Sequence, residues 1–312
     1  MKHILLVDGN SIGYAAQNSR PLKTGAGEPV QAIFNMLRTI KNLRNDNPHS
    51  QILLLWDSPK LWRYDVYPEY KGNRESTPEM VEMRNEFRAQ RPQIVRALYH
   101  LGVNQLSANG FEADDLAAFL APYYARKGFK VDLVSGDKDW LQVVDENISW
   151  IDPINNRTCT HANFAEMTDC ETQRDFVDTK ALVGDKSDNM GGVPGIGAKT
   201  AASIMRDLGG IDALFELYEK NGAFEKGSLP ADMSRARNKI NAFCSDESIR
   251  AIFDLNRKIM DLKAAPKPKS NDLKITKGKK NMSKFQSFCE ERQFKSILRE
   301  LAMWDAIFRG TV

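Results

Sequence analysis

The chain is poor in the residues that make soft-metal, disulfide and acyl-transfer chemistry. Its four cysteines, Cys159, Cys170, Cys244 and Cys289, lie far apart with no CxxC spacing, which argues against a zinc site or a disulfide framework and for reduced thiols. The four histidines, His3, His49, His100 and His161, fall outside the acidic motifs described below, and no Ser–His–Asp or Cys–His arrangement is called for. Long hydrophobic runs are also missing. The opening Ile4-Leu5-Leu6-Val7 is too short for a signal peptide and ends in a charge, and no run approaches a membrane span, so a cytoplasmic protein is expected. A large excess of one charge is absent too. The formal charge is +3 over 312 residues, so any basic surface that meets a polyanion must be local.

What remains is an ordinary globular composition, 42% apolar and 27% charged, in a chain long enough for one large domain with a smaller one attached. The stretch Phe111-Glu112-Ala113-Asp114-Asp115-Leu116 places three carboxylates within four positions, just before the apolar run Leu116 to Leu120. At a helix start Glu112 and Asp115 share a face, although an isolated cluster is equally read as acids favouring the helix N-terminus.

The chain repeats this pairing of apolar run and acid. His3 to Val7 runs into Asp8-Gly9-Asn10-Ser11, Ile52 to Trp56 into Asp57-Ser58-Pro59, and Val131 to Val134 into Ser135-Gly136-Asp137-Lys138-Asp139. Helical patterns such as Ile33 to Leu43 and Ile94 to Leu101 lie between these runs, which argues for an α/β domain with a mostly parallel sheet. The carboxyl ends of such strands share one edge, where ligands bind. Asp8, Asp57, Asp137 and Asp139 are therefore expected at that edge, within reach of Glu112, Asp114 and Asp115. Taken singly, each Asp is also a plausible turn former. As a set without interleaved Lys or Arg, they cannot stay ionised unless something neutralises them, and oxygen-only ligands select hard divalent cations, Mg²⁺ or Mn²⁺.

Two further stretches stand out. Tyr64 to Arg91 carries Lys71, Arg74, Arg84, Arg88 and Arg91, just after Arg63, with Tyr64, Tyr67 and Tyr70 interleaved. Basic groups hold phosphates and aromatic faces stack on bases, but Glu69, Glu75, Glu79, Glu82 and Glu86 balance much of the charge, so a solvated helical excursion fits equally. Downstream, Asp185 and Asp188 precede Gly192-Val193-Pro194-Gly195-Ile196-Gly197, which leads past Lys199 into a helical stretch from Ala201 to Leu208. The free amides at such a helix start make an anion site; the alternative is an ordinary turn between helices.

In this order, Val7-Asp8-Gly9-Asn10, Trp56-Asp57, Tyr70-Lys71-Gly72-Asn73-Arg74, Glu112-Ala113-Asp114-Asp115, Gly136-Asp137-Lys138-Asp139, Gly184-Asp185-Lys186-Ser187-Asp188-Asn189 and Gly192 to Gly197 resemble the 5′-nucleases: the flap endonucleases and 5′→3′ exonucleases of bacteriophages and the 5′-nuclease domain of bacterial DNA polymerase I. The match runs from Asp8 to about Asp207 and is weak from about Leu214 onward. The resemblance implies an α/β, PIN-like core with a mostly parallel central sheet flanked by helices, a helical arch and a helix-hairpin-helix region. The expected division is a nuclease core over 1–174 with the arch near 62–95, a helix-hairpin-helix region over 175–262, a basic linker over 263–282 and a C-terminal helix over 283–312.

The same resemblance implies one metal held by Asp8, Asp57, Glu112 and Asp114 and a second by Asp115, Asp137, Asp139, Asp185 and Asp188. It implies that Lys71 and Arg74 neutralise the scissile phosphate and that Tyr70 stacks on a base. By the same resemblance Lys180, Lys199 and the hairpin residues Gly192, Val193, Gly195, Ile196 and Gly197 would grip duplex DNA, with K⁺ at the hairpin in some relatives. Metal-dependent hydrolysis of DNA at 5′ flaps and ends, to a 5′-phosphate and a 3′-hydroxyl, follows from two closely spaced divalent ions.

The expected partner is branched or nicked DNA with a 5′ single strand, with RNA–DNA primer junctions, a polymerase or a single-strand-binding protein as further candidates. A monomer is expected, and the lack of an appended polymerase domain points to a free-standing enzyme. A PIN-type ribonuclease and a silent branched-DNA-binding protein are the alternatives. In the tail, Ala265-Pro266-Lys267-Pro268-Lys269 and Lys277-Gly278-Lys279-Lys280 read as a tether or an auxiliary phosphate contact. Phe285, Phe288, Phe294, Ile297, Leu298, Leu301 and Trp304 form an apolar helical face expected to pack on the body.

Overall fold

A computed structural model describes residues 2–310. Strand β1 (Lys2–Asp8) leads into helix α1 (Gly9–Gln17), followed by α2 (Gln31–Asp46) and β2 (Gln51–Trp56). The excursion after β2 holds α3 (Trp62–Val66), a tight turn over Gly72–Glu75 and the long α4 (Pro78–His100), which returns to β3 (Asn104–Ala108). Then come α5 (Ala113–Arg126), β4 (Phe129–Val134), β5 (Ile148–Asp152) and β6 (Arg157–Cys159). Strands β1 to β5 pair in parallel, β6 pairs antiparallel with β5, and β1 lies between β4 and β2. The continuous apolar sequence of β1 suits a strand covered on both faces. Leu5, Val7 and Leu54 face a core closed by α1, α2 and α4, and Ile4, Leu6 and Leu133 face one closed by α5, Trp140 and Trp150.

The chain builds outward from β1 to β3 and then jumps back across β1 to β4, so the crevice at the carboxyl ends of β1 and β4 is a topological switch point. A helical region follows: α6 (Phe164–Thr168), α7 (Gln173–Val183), a two-stranded hairpin of β7 (Gly184–Asp185) and β8 (Met190–Gly191), and α8 (Ala198–Leu208). It continues through α9 (Ile211–Asn221), α10 (Ala231–Ser234), α11 (Arg237–Ser245) and α12 (Glu247–Met260) around Leu182, Ile204, Leu214, Phe243 and Phe253. No helix among the described residues is long and apolar enough to cross a membrane.

Two expectations for the tail need correction. The segment 263–282 is not simply a linker, because β9 (Leu273–Thr276) pairs antiparallel with β3 and ends the seven-stranded sheet. The prolines and lysines around it mask the short alternation Leu273-Lys274-Ile275. The C-terminal helix is in fact three helices, α13 (Met282–Glu291), α14 (Lys295–Arg299) and α15 (Leu301–Ile307). They are broken where Gln293 adopts a left-handed backbone conformation (φ 57°). Phe285, Phe288, Phe294, Ile297 and Trp304 are buried in the same core as α2 and α4, and Leu298 and Leu301 pack at its border.

Candidate active site

The strand ends set the first carboxylates. Asp8 caps α1, accepting hydrogen bonds from the backbone N–H groups of Asn10 (3.1 Å) and Ser11 (2.8 Å) and from the Ser135 hydroxyl (2.8 Å). Asp57 accepts from the N–H of Ala113 (2.9 Å) and from the Asn10 amide, which ties the end of β2 to the start of α5. Glu112 caps α5, Asp114 accepts from the Trp140 indole (2.6 Å), and Asp137 accepts from the N–H of Asp139 (2.8 Å). Asp8, Asp57, Glu112, Asp114 and Asp137 line one cavity of about 390 Å³, with Lys71 and Arg74 on its wall. A neighbouring hollow of about 600 Å³ shares Asp57, Lys71, Arg74 and Glu112 and runs under the excursion past Arg84, Arg88 and Arg91.

Burial and crowding raise four of these acids, and only Glu112 is held the other way. Burial, then Asp57 and Asp137, push the Asp8 carboxyl up to about 7. Burial and Asp139 push Asp137 up to about 6. Burial, Asp137 and Glu112 push Asp114 well above the carboxylate range, and burial with Glu112 raises Asp57. Burial also raises Glu112, but Lys71 and Arg63 outweigh it and hold Glu112 below its ordinary value.

The remaining acids form a second group at the rim. Lys180 bridges Asp139 and Asp185, at 3.2 Å from the latter, and Asp185 also accepts from the N–H (2.8 Å) and hydroxyl (2.6 Å) of Ser187. Asp188 binds Arg74 (2.6 Å) and the Tyr70 hydroxyl (3.0 Å). This loop is strapped to the base of the excursion: the N–H of Lys71 donates to the Asp188 carbonyl (2.9 Å) and the Asn189 amide to the Glu69 carbonyl (2.9 Å).

Several expected roles change with this geometry. Asp115 faces away from the cavity set: both its oxygens take the Arg63 guanidinium at 2.8 Å, and Trp62 and the N–H of Glu112 bind it as well. It positions α5 and is not placed to be a metal ligand. Arg63 is no arch residue, since it is 1% exposed and also reaches Glu112 at 3.0 Å. Tyr70 is buried with its hydroxyl on Glu112 (3.0 Å) and Asp188, so it offers no open face to a base. Lys180 sits among the acids instead of on a duplex-facing surface, and the acids are interleaved with cations after all. Lys71 contacts Glu112 directly, which sequence spacing could not show.

In the hairpin, Val193 and Ile196 are buried anchors of the helical core, leaving the exposed backbone around Gly195 and Gly197, with Lys199, at the start of α8. Sequence reasoning missed Ser135, Trp140 and Arg63 as supports. Their neighbours in sequence gave only a weak signal, the adjacency of Ser135 to Gly136-Asp137.

Among the described residues no three His, Cys, Asp or Glu side chains close into a ready cage. The donor set nonetheless fits a hard divalent cation: it is all oxygen, and its raised carboxyls mark charge that burial leaves under-compensated.

Residues 3–170 match the family described as 5′-3′ exonuclease, N-terminal resolvase-like domain, and residues 171–270 match the 5′-3′ exonuclease C-terminal SAM fold. A 5′-3′ exonuclease of Aquifex aeolicus is 32% identical over 99% of this chain and 97% of its own length. A thermostable DNA polymerase I of Thermus filiformis is 30% identical over 97% of this chain, which spans only 33% of that larger protein. The fold is also that of a bacteriophage T5 flap endonuclease variant solved as a pseudo-enzyme-product complex with DNA and metal ions. The TM-score is 0.66 at 20% identity, covering 98% of this chain and 99% of the other.

Proposed function

Since this chain belongs to the 5′-3′ exonuclease family, we propose that it is a structure-specific nuclease that hydrolyses DNA at 5′ flaps and 5′ ends with divalent cations, leaving a 5′-phosphate and a 3′-hydroxyl. The observation that carries this reading is the gathering of five carboxylates in one cavity beneath an arginine-lined excursion. Asp8, Asp57, Glu112 and Asp114 would hold one ion, and Asp137, Asp139, Asp185 and Asp188 a second. Mg²⁺ suits this oxygen set best, with Mn²⁺ as a substitute. When bound, such ions lower the pKa of an attacking water and neutralise charge on the phosphoryl oxygens.

The chain's own residues do the rest. Lys71 and Arg74, now on Glu112 and Asp188, are positioned to exchange those carboxylates for the phosphate once cations occupy the acids. Ser135, Trp140 and the N–H groups of Ser11 and Ala113 hold Asp8, Asp57 and Asp114 in fixed orientation, which saves reorganisation during reaction. Arg84, Arg88 and Arg91 line the trough for a single strand, and the amides around Gly195 and Gly197 with Lys199 bind duplex phosphates. A K⁺ ion at the hairpin would show as tighter duplex binding in KCl than in NaCl. The partner would be branched DNA, in the cytoplasm.

A 5′-labelled flap substrate incubated with Mg²⁺ tests the reading. Cleavage near the junction, faster on DNA than on a matched RNA flap, is expected. No cleavage, or preference for RNA, would overturn it.

A further inference from the structure

On the flank away from the acids, α5 leaves part of the sheet uncovered. Leu53, Leu106, Leu120, Tyr124, Leu273 and Ile275 border a groove of about 700 Å³ between α5 and β9. Ile275 is 60% exposed. Apolar surface concentrated in this way marks an interaction site more often than chance exposure does.

Two further features say what would cover it. β9 is the end strand of the sheet, with no strand among the described residues on its outer edge, so its outward backbone groups can pair with an added strand. The groove also ends in a fixed basic rim. Lys277, Lys279 and Lys280 border it, the Lys279 N–H donates to the Tyr99 carbonyl (2.9 Å), and the Gly278 N–H donates to Asn104 (3.0 Å). A Cβ at Gly278 would come within 2.3 Å of Gly102, so this backbone is packed in place. Lys280 already pairs with Asp305, whereas Lys274, Lys277 and Lys279 are exposed and no acidic partner among the described residues neutralises them.

Because β9 runs antiparallel to β3, Leu273 sits beside Ala108 at the carboxyl edge and Thr276 beside Gln105. Lys277 and Lys279, which follow Thr276, therefore lie towards the opposite edge from Asp8 and Asp57, whereas Lys274 sits beside Ser107 nearer the carboxyl edge.

We propose that this flank docks an extended acidic and hydrophobic segment of a partner protein, which adds to β9 as a further strand. Its alternate apolar side chains enter the groove beside Leu273 and Ile275, the carboxylates between them meet Lys274 on the other face of the strand, and carboxylates at its end meet Lys277 and Lys279 on the groove rim. The proposal is independent of the nuclease reading.

The test uses the full chain and a fluorescein-labelled peptide alternating Asp with Leu and Phe, followed by fluorescence anisotropy beside the same peptide with Lys replacing each Asp. The acidic peptide is expected to bind at least tenfold more tightly. The double variant Lys277→Glu/Lys279→Glu should reverse that preference, which a misfolded protein would not do, while flap cleavage stays within twofold. Ile275→Asp should weaken both peptides. Absent binding, binding blind to peptide charge, or a loss of duplex affinity in the double variant, which would make this a nucleic-acid surface, would each overturn the proposal. So would self-association of the wild-type chain that Ile275→Asp abolishes.

Discussion

Replacing Arg63 with Met keeps an unbranched stem and removes a guanidinium that is almost fully buried. That group holds both oxygens of Asp115 at 2.8 Å, reaches Glu112 at 3.0 Å, and donates to the Ile259 carbonyl at 3.1 Å. Asp115 and Glu112 are each 2% exposed, so neither can recover its hydration when the cation is gone. Breaking a buried pair from one side costs about 3–5 kcal/mol, and the orphaned Ile259 carbonyl adds about 1 kcal/mol. Urea denaturation followed by tryptophan fluorescence and circular dichroism should show a loss of that size. Adding Asp115→Asn to the Arg63→Met chain should restore part of it by removing the uncompensated charge, which a simple packing defect would not permit. A loss below about 1 kcal/mol, or no rescue, would refute the view that Arg63 carries the charge balance behind the site.

The other expectations rest on the same geometry. Asp8 titrates near 7 in the fold against an ordinary 3.8, so its ionisation favours unfolding. In EDTA the melting temperature should fall as pH rises from about 4 to about 7 and level off above, and Asp8→Asn should flatten that slope. The difference is bounded by roughly 4 kcal/mol and reduced because Asp57 and Asp137 titrate with it. A Cβ at Gly192 would lie 2.2 Å from the Val183 carbonyl oxygen, so Gly192→Ala should cost about 1–3 kcal/mol by overpacking and weaken duplex binding more than single-strand binding, as gel shifts in Ca²⁺ would show. Lys71→Ala removes the ammonium beside Glu112 and should slow flap cleavage by roughly a hundredfold with little change in duplex affinity; an unchanged single-turnover rate would remove Lys71 from the phosphate's path.

Strands β1, β2 and β4 and the acidic edge they share were legible because each of these apolar runs is followed within three residues by an Asp, whereas β3, β5 and β6, whose sequences mix polar with apolar residues, were not. Which cation meets which acid was not legible. Arg63 and Asp115 are 52 residues apart and Lys180 and Asp139 are 41 apart, so nothing local announces either pair. Tyr70 looked like a stacking residue because its neighbours are charged, yet the fold turns it inward onto Glu112 and Asp188. β9 escaped notice because four residues of alternation are little against flanking Pro and Lys. The tail's apolar face was clear from its period, whereas its breaks at Gln293 and Glu300 depend on packing against α2 and α4.

The most direct measurement is the single-turnover cleavage rate of a labelled 5′ flap in Mg²⁺ for Asp114→Asn and Asp137→Asn, alongside DNA affinity in Ca²⁺. Rates should fall by at least roughly a hundredfold while affinity stays within a few-fold. Variants that cut as fast as the parent chain would contradict the assignment of this carboxylate cavity as the site of hydrolysis.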